Sequence, residues 1–273
     1  MDARLQRRVQ RYGWDLAAAD YAPLWQQQLA LVQAELLRRA ALQPGERVLD
    51  VACGTGLVTM DAARAVGTTG SVDGVDLSGE MVERARCEAL RQDRRSVTFS
   101  RMDAENLGFE AARFDVVLCA LGLMYMPDPP QALREMRRVL RPGGRIVLAV
   151  WGERAHCGWA TLFAIVQEEV ASEVCPLFFQ LGHTDTLARS CAQLGYQHIE
   201  QHRLPTTLAY SDADQACRAA FAGGPVALAW SRFDDDARER VCSRYIESID
   251  AWRRSAGYEL PAEFLIVSAH APR

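Results

Sequence analysis

Two glycines and one aspartate stand at spacings with a chemical meaning. Gly54 and Gly56 follow the apolar run Val48, Leu49, Val51 and Ala52, and precede Leu57, Val58, Met60, Ala62 and Ala63. A buried strand, a glycine turn and a helix start turn backbone N–H groups toward a polar ligand. Glycine lets that backbone approach where a Cβ would collide. Asp76 lies twenty residues beyond Gly56, at the end of a second apolar run. A carboxylate there accepts both hydroxyls of a ribose lying over the turn. A nicotinamide or flavin site would want a third glycine where Thr59 stands, so a dehydrogenase is disfavoured. All 31 basic residues are arginine. Without lysine the chain has no Schiff-base, P-loop or general-base lysine.

The elements that position these residues follow from the pattern. Residues 1–42 read as helical, with Leu24, Leu29, Leu31, Val32, Leu36 and Leu37 forming a stripe in the later part. Strands are expected at 47–52, 71–76, 97–100, 114–120 and 145–151, alternating with helices. That alternation predicts a doubly wound parallel sheet. Beyond Trp151, helices are expected over 157–174, 184–194, 211–222 and 234–254, with strands at 196–210 and 263–270. Arg4, Arg7, Arg8 and Arg11 share a helical face, read as solvated or as contacting an anion or partner.

At 273 residues and 49% hydrophobic, the chain can bury a full core. Its net charge of −4 argues against a general nucleic-acid or anionic-membrane surface. Eight scattered cysteines without a C-x-x-C pair fit reduced thiols in a cytoplasmic protein. No apolar stretch reaches membrane-spanning length.

Taken in order, V-L-D-V-A-C-G-T-G, G-V-D-L-S around residue 76, M-D-A-E at 102–105, F-D-V-V-L-C-A at 114–120 and V-L-R-P-G-G at 139–144 resemble the class I S-adenosylmethionine-dependent methyltransferases. Within that class they are most similar to the ubiquinone/menaquinone-biosynthesis-like small-molecule enzymes. The resemblance covers roughly residues 45–150. It implies a Rossmann-like α/β fold: a seven-stranded, mostly parallel sheet with helices on both faces and the last strand antiparallel. A helical cap at 1–42, a cofactor-binding core at 43–151 and lid insertions at 152–183 and 211–258 complete that layout, with 184–210 and 259–273 finishing the sheet.

The resemblance also assigns roles toward S-adenosyl-L-methionine. Asp50, Gly54, Thr55 and Gly56 would hold the methionine moiety, Asp76 the ribose, and Leu77 with Met81 the adenine side. Asp103 would accept from the adenine amino group, and the Ala104 N–H would serve a ring nitrogen. Cys119 and Ala120 would lie beside the methyl-bearing end. The plainer readings are that Asp50 caps a turn and Asp103 opens a helix.

Methyl transfer needs a base only if the acceptor must lose a proton. Tyr125 and His156 are the catalytic candidates, with Glu153, Cys157 and His183 nearby in the pattern. A merely hydrogen-bonded His156 is the plainer reading. A metal at His198 and His202 lacks a third ligand, so no metal is expected, and a thiol-based acceptor site at Cys157 and Cys175 lacks a paired motif. Tyr12, Trp14, Tyr21, Trp25, Trp151, Phe178 and Phe179 are expected either as core or as the wall of a pocket for an apolar or aromatic small molecule. The expected function is therefore methylation of such a metabolite at O, N or C. A non-catalytic cofactor-binding partner or sensor is the alternative, and an RNA methyltransferase is disfavoured. A monomer or homodimer is expected, with no nucleic-acid partner and no stable membrane insertion.

Overall fold

The computed structural model describes residues 3–94, 96–170 and 178–273. Cys175 and the end of the helix expected over 157–174 lie outside them. Five strands run β1 (Arg47–Val51), β2 (Ser71–Asp76), β3 (Val97–Arg101), β4 (Phe114–Ala120) and β5 (Leu140–Trp151). β6 (Gln197–Tyr210), the two-residue β7 (Arg253–Arg254) and β8 (Gly257–His270) follow. The sheet order is β3-β2-β1-β4-β5-β8-β6, with β7 on β8. β1 to β5 pair in parallel, whereas β8 runs antiparallel to both β5 and β6. This is the mostly parallel sheet with an antiparallel last strand that the family resemblance implies, with the two-residue β7 making eight strands rather than seven.

The chain winds outward from β1 to β3 and then returns to place β4 beside β1. Crevices for ligands open at such a reversal, above the carboxyl ends of the two strands. β1, β4 and most of β5 are buried runs, as strands covered on both faces must be.

The helices are α1 (Ala3–Ala40), α2 (Leu57–Val66), α3 (Gly79–Arg91), α4 (Pro129–Val139), α5 (Thr161–Val170), α6 (Thr186–Gln193), α7 (Ala213–Phe221), α8 (Ala227–Trp230) and α9 (Asp235–Ser248). α1 changes character at Pro23, whose ring removes one backbone donor. After it, Leu24, Leu29, Val32, Leu36 and Ala40 are buried; before it, only Gly13, Ala17 and Ala18 are. The first half is tied down by polar contacts instead. Arg7 Nε lies 3.1 Å from Asp103 Oδ2, and its guanidinium also pairs with Glu105. The Ser78 hydroxyl donates to Asp15 at 2.6 Å, and Arg218 lies 3.1 Å from Asp20.

Several boundaries differ from the sequence reading; β5 starts at Leu140 rather than at 145, and α5 at Thr161 rather than at 157. The helix expected to reach Arg254 ends at Ser248, because Arg253–Arg254 pair as a ribbon with Tyr258 and Gly257. β8 starts at Gly257 rather than at 263. Pro261 reads as a strand breaker, yet it sits in register opposite Thr207. No helix among the described residues is long and apolar enough to cross a membrane.

Candidate functional site

A cavity of about 770 Å³ opens above β1, β2 and β4. Gly54, Asp76, Leu77, Met81, Asp103, Ala104 and Ala120 line it, with Arg7, Glu105 and Met102 completing the wall. Asp76 ends β2 inside this cavity. Its Oδ2 accepts from the Gly54 N–H at 2.9 Å and its Oδ1 from the Ser78 N–H at 2.8 Å. Burial raises the Asp76 pKa above the ordinary carboxylate value, and these two donors offset only part of that. Asp103 accepts from the Glu105 N–H at 2.9 Å through Oδ1, while its Oδ2 faces Arg7.

The glycine turn is built on a buried acid. Asp50 is 1% exposed, and the Thr59 hydroxyl donates to its Oδ2 at 2.6 Å. Its Oδ1 is buried without a partner among the described residues, as is the Thr55 hydroxyl. Burial pushes the Asp50 carboxyl up to about 7, against the pull of the Thr59 hydroxyl. Thr59 therefore fills the position of a third glycine with a donor to Asp50, since α2 starts with its first turn over the end of β1. Gly54 adopts φ +55°, and a Cβ there would stand 3.7 Å from the Tyr21 ring. Ala52 and Leu121, at the ends of β1 and β4, also take positive φ and line the cavity. Such backbone is uncommon for non-glycine residues and gathers at ligand sites.

A second cavity of about 500 Å³ adjoins the first. The two share Trp14, Tyr21, Leu121 and Tyr125. Trp14 lies edge-on to both Tyr21 and Tyr125, at centroid separations of 5.8 and 5.0 Å. Trp25, Trp151, Trp159, Phe178, Tyr210 and Tyr245 enclose the rest. Burial raises the Tyr21, Tyr210 and Tyr245 hydroxyls above the ordinary tyrosine range.

The structure thus brings many of the anticipated residues to two adjoining cavities and leaves others elsewhere. Gly54, Asp76, Leu77, Met81, Asp103, Ala104, Ala120 and Tyr125 face the first; Trp14, Tyr21, Trp25, Trp151 and Phe178 line the second. Asp50 and Cys119 lie beneath the turn and strand ends, outside both linings, and burial pushes the Cys119 thiol up to about 12. Thr55 and Gly56 face a groove between α1, α2 and α3. Phe179 packs on Phe178 behind the wall, and Tyr12 is exposed with Arg11 over its ring.

His156 also lies outside both cavities. Its Nδ1 sits 3.1 Å from Glu263 Oε2, so β8 holds it as a hydrogen-bonded residue. Arg7, Glu105, Trp159, Tyr210 and Tyr245 were not picked out from the sequence as site residues. Arg7 had a signal in the arginine face of the first helix; Tyr210 and Tyr245 had none, because only tertiary packing brings β6 and α9 to the chamber.

Residues 48–144 match the family described as Methyltransferase domain. Among curated proteins, aklanonic acid methyltransferase DauC of Streptomyces sp. is 42% identical over 102 residues, covering 37% of this chain and 46% of that protein. The ubiquinone/menaquinone biosynthesis C-methyltransferase UbiE of Pseudomonas aeruginosa is 31% identical over 191 residues, covering 69% of this chain and 73% of that one. The match thus spans about half the length of the first relative and nearly three quarters of the second. Among solved structures, the YcgJ protein of Bacillus subtilis superposes with a TM-score of 0.64 at 18% identity, over 88% of this chain and 98% of that one.

Proposed function

The chain belongs to the class I S-adenosylmethionine-dependent methyltransferases, and from that premise we propose that it methylates a small apolar or aromatic acceptor at oxygen, nitrogen or carbon. The observation that carries this reading is the pair of cavities meeting at Trp14, Tyr21, Leu121 and Tyr125. One chamber has the donors and acceptors of a nucleoside site, and the other is aromatic. Their junction is where a methyl group would change hands.

The first chamber fits S-adenosyl-L-methionine. Asp76 would accept the ribose hydroxyls, Leu77, Met81 and Met102 would bracket the adenine, and Asp103 and the Ala104 N–H would address its edge. The close backbone at Gly54 would serve the methionine end, with Asp50 beneath it bracing the turn through the Thr59 hydroxyl. When bound, the cofactor supplies a sulfonium methyl for in-line displacement. The protein's share is alignment, which removes several kcal/mol of barrier, and exclusion of water by the aromatic wall.

No carboxylate or histidine lines the second chamber among the described residues. The tyrosines whose hydroxyls burial has raised are poor bases. Tyr125, at the junction, would therefore position the acceptor, and the nucleophile would arrive needing no strong base from the wall. Segments 152–183 and 211–258 would act as the lid. The protein would work in the cytoplasm as a monomer or homodimer, without a nucleic-acid partner.

Calorimetry with S-adenosylmethionine and its demethylated product tests cofactor binding, and transfer of a labelled methyl group to an aromatic panel tests catalysis. Binding of neither by folded protein would sink the reading. Binding without transfer to any acceptor would favour a sensor or partner protein.

A further inference from the structure

Four of the six large apolar side chains exposed among the described residues stand on the first half of α1. They are Leu5, Val9, Tyr12 and Leu16, each between 37% and 49% exposed. Steps of four, three and four residues put them in one stripe along the helix. Arg4, Arg8 and Arg11 run along one flank of that stripe, and the Arg11 guanidinium lies 4.5 Å from the centre of the Tyr12 ring. No acidic residue occurs from Ala3 to Trp14. Asp15, the next acid, is already engaged by the Ser78 hydroxyl and the Glu80 N–H. The opposite face of the same helix is committed to the fold: Arg7 pairs with Asp103 and Glu105, and Trp14 lines both cavities.

We infer that this outer face of α1 docks on an anionic lipid surface, its four apolar side chains entering the headgroup layer and its flanking arginines meeting lipid phosphates. A basic helix with an apolar stripe lies along such an interface rather than crossing it. Tyr12 suits that boundary, since its ring is apolar and its hydroxyl can stay wet. Charge decides against the other occupants. A neutral bilayer would take up the four-residue stripe and leave the arginines without counter-charge. A second copy would bring the same arginines, and the acids of this half of α1 are taken, Asp15 by Ser78 and Asp20 by Arg218. The net charge of −4 gives the molecule as a whole no attraction to such a surface, so the contact is confined to this face and sensitive to salt. The docked face backs the wall that carries Trp14 and Tyr21, which sets both cavities on the protein side of the contact. This docking does not depend on the chemistry proposed above.

Co-sedimentation of the full chain with lipid vesicles tests it. Mixed phosphatidylglycerol–phosphatidylcholine vesicles should bind the protein at least about tenfold more tightly than pure phosphatidylcholine, and raising salt from about 0.1 M to about 0.5 M should remove most of that preference. Arg8→Gln, and separately the double variant Leu5→Gln with Leu16→Gln, should each weaken binding to the anionic vesicles at least about threefold. Far-ultraviolet circular dichroism and S-adenosylhomocysteine affinity should stay at wild-type values, since none of the three side chains lines a cavity. Absent binding, or equal binding to both kinds of vesicle, would overturn the inference. So would anionic binding that survives both sets of substitutions. Sedimentation velocity without lipid supplies the last arm: a dimer that the double variant dissociates would assign the face to a second copy and overturn lipid docking. Loss of S-adenosylhomocysteine binding by the wild type would refute the proposed function and leave the vesicle result to stand by itself.

Discussion

At the scale of single residues, the two acids at the glycine turn behave differently. Asp76 braces Gly54 and Ser78 while facing the cavity. Asp76→Ala should weaken S-adenosylhomocysteine binding at least about tenfold by calorimetry, with the far-ultraviolet circular dichroism unchanged; full affinity would refute the ribose role. Asp50 is buried, and its carboxyl is pushed up to about 7. The folded state therefore binds the proton more tightly than the unfolded chain, and stability declines as pH rises from about 4 to 7. Asp50→Asn removes that slope. Its stability relative to wild type should be higher at pH 8 than at pH 5, by roughly 2–4 kcal/mol in urea unfolding. A difference independent of pH would show that Asp50 is not perturbed. Asp76, Asp103 and the glycine turn were legible because each follows an apolar strand run within a short, ordered motif. The bond from Thr59 to Asp50 was not, since position 59 showed only what was missing, a glycine.

At the scale of elements, α1 joins two unlike halves. The half after Pro23 is anchored by buried apolar side chains; the half before it rests on the Arg7, Asp15 and Asp20 contacts. Segments held by few apolar contacts open at lower free energy than the core. Amide exchange should therefore be faster over residues 3–16 than over 24–40, and should slow over 3–16 when S-adenosylhomocysteine binds. Uniform protection along the helix would contradict this. The helix itself was legible from its leucine stripe. Its latches were not, because Arg7 finds Glu105 across 98 residues of chain, and a helical face of arginines reads the same whether solvated or paired. The end of α9 was misjudged for a related reason: strand pairing with Tyr258 overrides helical preference at Arg253.

For the molecule as a whole, β8 joins the parallel core to β6, and Glu263 concentrates that linkage. Its carboxylate meets Arg203 Nη1 at 2.7 Å, His156 Nδ1 at 3.1 Å and the Glu153 N–H at 3.1 Å. Burial alone would raise its pKa, but these donors outweigh it and hold the group below the ordinary glutamate value. Its contribution is therefore present above the unfolded glutamate range and lost as pH falls through the folded value. Glu263→Gln should cost about 1–3 kcal/mol at pH 7, with a smaller deficit near pH 4, as read from urea midpoints. An equal deficit at both would point to packing alone. The sheet and its antiparallel closing strand were legible; the meeting of Glu263 with His156 was not, since it depends on how β8 lies beside β5. One consequence follows from Trp14 and Tyr21, which stand on α1 and line both chambers. A door common to two rooms cannot be opened for one occupant alone. A molecule that left the first cavity by displacing that stretch of α1 would also unseal the second, which would put the two departures on a shared clock.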